Sequence, residues 1–135
     1  MLKRILLNLL YTLLCSFAIS SVVLLAVYYS SADLREDFEV SDLFFWLALL
    51  YSKLVGFSLI SLFVAVPVIW NNRLLSILVY FVGSVIFIVS TVIGIRTTTI
   101  GGIVVVWAPF VVFILVHTFF YIRLINRPQP ANFIA

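Results

Sequence analysis

Acidic residues are missing from this sequence except within residues 33–42, where all five stand: Asp33, Glu36, Asp37, Glu39 and Asp42. Cysteine and histidine occur once each, as Cys15 and His117. These absences exclude most catalytic designs. A catalytic triad lacks its parts, a zinc site lacks its ligands, and no phosphate loop, dinucleotide fingerprint or nucleophile elbow is present. A lone cysteine forms no intramolecular disulfide, and this one lies inside an apolar run, where a small sulfur side chain serves packing. The carboxylates are hard oxygen ligands of the kind calcium takes, but their spacing departs from the calcium-loop pattern and includes no glycine. No catalytic, cofactor-binding or metal-binding residue is assigned. The expectation is a protein that is not an enzyme and uses no cofactor.

Polar residues of every kind are scarce. Charged residues make up 10% of the chain and hydrophobic ones 65%, and the mean hydropathy is +1.31. A soluble domain could not clothe its surface with so little. What is present instead is four apolar runs, residues 5–29, 43–70, 74–95 and 100–122, each long enough to cross a bilayer. The first is too long for the apolar segment of a cleaved signal peptide, about 7–15 residues, and is read as a permanent span. Leu14 before Cys15 is too large for a lipoprotein signal. The polar turn Asn71-Asn72-Arg73 and the stretch Arg96–Gly102 separate the later spans. The fold class is an all-α integral membrane protein, a four-transmembrane-helix antiparallel bundle forming a single domain over residues 1–135. An acidic loop spans 30–42, and a proline-containing, mobile tail spans 127–135.

The orientation follows from the basic residues, which accumulate on the side of insertion. Lys3, Arg4, Arg73, Arg123 and Arg127 share one face of a four-span topology, against Arg35 and Arg96 on the other, with Lys53 undecided. Both termini are therefore placed in the cytoplasm and the acidic loop outside, in a multi-pass plasma membrane protein (the inner membrane in a bacterium). The net charge of +3 does not point to nucleic acid, because the basic residues stand singly at span ends rather than along a solvated stripe.

Lipid gives helices no hydrophobic reason to associate, so small and weakly polar residues mark the faces that pack on protein. Asn8, Thr12, Ser16 and Ser20 recur every four residues in the first span. Ser76, Tyr80, Gly83, Ser84, Ser90, Thr91 and Gly94 follow the three-and-four spacing of a single helical stripe in the third, and Ser58, Ser61 and Ala65 form a shorter version in the second. These stripes are expected to face inward, with hydroxyls bonded to nearby carbonyls rather than lining an ion path.

Two groups of residues carry the functional expectations. Asp33, Glu36, Asp37, Glu39 and Asp42, beside the aromatic start of the second run (Phe44, Phe45, Trp46), form an extracytoplasmic surface suited to a cationic partner. Ser41 or Asp42 is expected to cap that helix. Lys53 and His117 are the ionisable groups within spans, and such groups are suspects for transport. Measured from a cytoplasmic edge at Trp70, Lys53 falls near the outer boundary and reaches the headgroups. The first span has no glutamate, unlike small multidrug exporters. The expected function is partner binding, as an accessory subunit of a membrane complex or an immunity-type protein. The partner is a membrane or extracytoplasmic protein, or a second copy in a homo-oligomer. The alternative is a small oligomeric transporter or channel using Lys53 or His117.

Overall fold

A computed structural model describes residues 1–94 and 100–127, and only the backbone of residues 33, 34, 37 and 100–102. The predicted end of the third run at Ile95, the connection 96–99 and the tail from residue 128 lie outside the described residues. Among these, all secondary structure is helical: α1 (Leu2–Ser30), α2 (Ala32–Asp37), α3 (Val40–Ser58), a 3-10 helix (Leu59–Ala65), α4 (Pro67–Asn71), α5 (Arg73–Gly94) and α6 (Ile100–Asn126). Four stretches are long and apolar enough to cross a membrane: Leu2–Ser30, Val40–Ala65, Arg73–Gly94 and Ile103–Asn126. Their outer surfaces bare large apolar side chains along their length, among them Val22, Phe63, Leu74, Ile93 and Leu115. A monomer in water does not tolerate so much exposed apolar area, and a bilayer removes the penalty. The chain is a multi-pass membrane protein.

The second apolar run departs from the single span predicted over 43–70. Its α-helix starts earlier, at Val40, tightens to 3-10 geometry after Ser58, and stops at Ala65. Val66 is extended, with φ −67° and ψ 125°, and Pro67 opens α4 as its first residue. Proline drives the preceding residue out of the helical region while its own fixed φ suits a helix start. Hydropathy does not see this break, because apolar residues flank it. The acidic segment is likewise more helical than a loop. Its last part enters α3, whose cap is Glu39 rather than Ser41 or Asp42, and the Asp42 carboxylate accepts from the Glu39 N–H at 3.1 Å. A carboxylate in the first turn also complements the helix dipole.

The interior has two apolar clusters. One gathers Leu24 and Tyr28 of α1, Leu43, Leu47, Tyr51 and Leu54 of α3, Phe87 of α5, and Val105, Phe110 and Phe113 of α6. The other holds Ile5 and Leu9, Val64, Tyr80, Tyr121 and Leu124. Small-residue stripes let the helices approach. Thr12, Ser16 and Ser20 are buried on α1, Ser58 and Ser61 on the second span, and Ser76, Gly83 and Ser84 on α5. Gly83 marks the tightest approach: a methyl there would run into the Phe57 backbone carbonyl, with Ile60 Cβ 3.3 Å away. The α5 stripe does not continue as predicted. Ser90 and Gly94 are exposed, and Ser90 and Thr91 each donate to the Phe87 carbonyl, satisfying their hydroxyls within their own helix.

Candidate functional site

A polar knot joins α1, the 3-10 helix, α5 and α6 around Tyr80. The Asn8 amide donates to the Tyr80 hydroxyl at 2.9 Å and to the Phe120 carbonyl at 3.1 Å. The Tyr80 carbonyl accepts from Ser61 Oγ at 2.7 Å and from His117 Nε2 at 3.2 Å. A carbonyl only accepts, so Nε2 carries a proton. His117 is fully buried between the stacked rings of Tyr80 (4.3 Å between centroids) and Phe113 (5.1 Å), with Phe81 edge-on. Its Nδ1 has no partner among the described residues. Tyr121, one turn further along α6, does not serve it and instead shares a hydrogen bond with Ser76 at 3.1 Å. This knot fastens helices far apart in the chain. Tyr80→Phe is expected to lower stability in detergent by about 0.6–1.7 kcal/mol, the range for buried hydrogen bonds between membrane helices, read as a drop in thermal midpoint.

Lys53 stands elsewhere. It is exposed on α3, while its neighbours Tyr51 and Leu54 turn inward. The ammonium and the imidazole thus share no cavity. With the span ending at Ala65 rather than Trp70, Lys53 also moves away from the predicted outer boundary. At about 1.5 Å per α-helical and 2.0 Å per 3-10 residue it lies roughly 20 Å from Val40 and roughly 22 Å from Ala65, near mid-length. Ala48, Ser52 and Gly56, spaced by four, are exposed beside it. A Cβ added to Gly56 would meet nothing within 4 Å. From Gly56 an open apolar groove of about 700 Å³ continues past Ile60 and Phe63 to Pro67.

No family model matches this chain, and neither a curated protein nor a solved structure does. The site must therefore be read from its chemistry.

Of the acidic surface predicted from sequence, Glu36, Glu39 and Asp42 are exposed, and the side chains of Asp33 and Asp37 lie outside the described part. Phe45 is 72% exposed and Phe44 38%, but Trp46 is half-buried and packs on the core. Consecutive helical residues point about 100° apart, so three aromatics in a row cannot share one outward face. The indole N–H of Trp46 has no partner among the described residues. No three His, Cys, Asp or Glu side chains converge among the described residues.

Proposed function

We propose that this protein acts by binding rather than by catalysis, as an accessory subunit of a membrane complex or an immunity-type protein in the plasma membrane. Its four spans run antiparallel, with both ends in the cytoplasm and the acidic segment outside. Supporting that order, Asn8 near the start of α1 bonds Phe120 near the end of α6, and Leu24 packs in the cluster that holds Val105.

The observation that carries the reading is Lys53. A charge at mid-span costs about 2.5–3.5 kcal/mol on insertion scales. The residues beside it on its own helix offer no carboxylate, since every acid in the sequence lies at 33–42. A symmetric pair of copies would bring two ammonium groups together. A parallel copy sets its nearest acid, Asp42, about 16 Å further along the helix at 1.5 Å per residue. The partner is therefore a different chain, with an Asp or Glu in its own span. Ala48, Ser52 and Gly56 let its backbone come close. The Ser52 hydroxyl is already bonded to the Leu49 carbonyl at 2.8 Å, so it needs nothing from the partner.

The test is a photo-crosslinking residue at Ala48 in native membranes. One protein adduct is expected, with a carboxylate in its crosslinked span, and Lys53→Ala abolishes it. Adducts with lipid alone remove the reading. The acidic segment adds steering. Glu36→Gln with Glu39→Gln, together with Asp33→Asn and Asp37→Asn, is expected to slow association about tenfold at low salt and leave dissociation nearly unchanged. Asp42 is left intact because its carboxylate accepts from the Glu39 N–H in the first turn of α3. Stopped-flow binding across ionic strengths checks this, and equal rates in 0.5 M salt are part of the expected result.

A further inference from the structure

The arginines of the two chain ends, which stand far apart in sequence, meet in one cleft. Arg4, Asn8, Tyr11 and Cys15 form one face of α1, spaced by four, three and four residues, and face Phe120 and Arg123 of α6, with Arg127 just past its end, across an opening of about 480 Å³. Three guanidinium groups thus line a single concavity. No carboxylate lines it among the described residues, and the sequence has no acidic residue outside 33–42. The charge is compensated by nothing on the helices that carry it. A guanidinium fork matches phosphate oxygens in a way an ammonium does not.

The shape of the cleft selects among phosphate compounds. From Arg4 to Cys15 it extends along α1 for about 16 Å, at 1.5 Å per residue, several times the width of a phosphate group. Its charged groups cluster at the helix ends. Toward Cys15 it is walled by Leu7, by Tyr11 stacked on Phe120 (6.4 Å between centroids), and by the exposed thiol. A ligand that fills it carries an anionic head and an apolar tail. Basic pockets between spans on the cytoplasmic side are where anionic headgroups are held.

We infer that the α1–α6 cleft is a binding site for an anionic phospholipid, its phosphate held by Arg4, Arg123 and Arg127 and one acyl chain lying along Leu7, Tyr11 and Cys15. The site is on other helices than the Lys53 face and stands whether or not a protein partner docks there.

The experiment uses the full chain in nanodiscs of phosphatidylcholine, titrated with phosphatidylglycerol and read by native mass spectrometry of retained lipid. Wild-type protein is expected to retain phosphatidylglycerol at least tenfold over phosphatidylcholine. Each of Arg4→Gln, Arg123→Gln and Arg127→Gln lowers that preference about fivefold, the worth of one basic group at a charged bilayer surface. Lys3→Gln, an exposed charge of the same end that does not line the cleft, changes it less than twofold. Equal losses for Lys3→Gln and the arginine variants overturn the site in favour of diffuse surface charge. Displacement of the lipid by millimolar inorganic phosphate overturns the lipid assignment in favour of a free anion. A photoreactive phosphatidylglycerol on the unmodified protein tests the place independently of variant folding. Label confined to residues 4–15 and 120–127 supports the cleft, and label spread over α3 and α5 refutes it.

Discussion

Gly83→Val is expected to be the most damaging single change in the apolar interior, lowering the unfolding free energy in detergent by about 3 kcal/mol, the upper end for overpacking. Most overpacked sites escape by rotating a flexible neighbour. At Gly83 the first atom met is the backbone carbonyl oxygen of Phe57, with the Phe57 carbonyl carbon 3.1 Å from the added Cβ. Backbone yields only if α5 and the second span move apart. That separation would strain the Ser61–Tyr80 bond, which depends on the same approach. Gly56→Ala is the control. It adds a methyl to the second span, on α3, where it meets nothing, and is expected to leave the isolated chain unchanged or up to about 1 kcal/mol more stable, because alanine is the better helix former. Thermal unfolding of both variants in one detergent decides the matter. Indistinguishable midpoints would mean that the helices do not approach at Gly83.

Lys53→Leu should act in opposite directions on the isolated protein and on its complex. Removing a mid-span ammonium favours insertion of Val40–Ala65 by about 2.5–3.5 kcal/mol, readable as a shift toward the fully inserted fraction in a translocation assay. The same change removes the counter-charge for the proposed partner carboxylate and leaves that group unpaired in lipid, so the complex is lost. A charge kept only as a topology signal would give the first effect without the second. Better insertion together with undiminished partner capture is therefore the result that defeats the proposed function. Restoring capture by Lys53→Arg, with no gain in insertion, would show that the cation itself is what the partner reads.

The parts legible in sequence share one physical property: they depend on composition summed over many residues. The four spans stand out because each sustains apolar character over more than 18 positions, and errors at single residues average away. The acidic cluster is visible for the same reason. The parts that misled depend on single bonds or single contacts. Pro67 ends the second span inside an unbroken apolar run, and that one proline moves Lys53 from the predicted outer boundary to mid-length. Trp46 belongs to an aromatic triplet by sequence, but helical geometry turns it to the core while Phe45 stays outside. Ser90 continues a periodic stripe yet bonds to its own helix and faces out.

Composition and hydropathy alone established that the chain is a membrane protein of four apolar helices, with its carboxylates gathered in one short segment. The Arg4-Asn8-Tyr11-Cys15 and Phe120-Arg123-Arg127 faces were also present as periodicities, each bland in isolation. Their meeting, the inward burial of His117 against the outward exposure of Lys53, and the collision point at Gly83 were decided by tertiary packing. Helical periodicity places residues on a face, whereas only the crossing of two helices determines what that face meets.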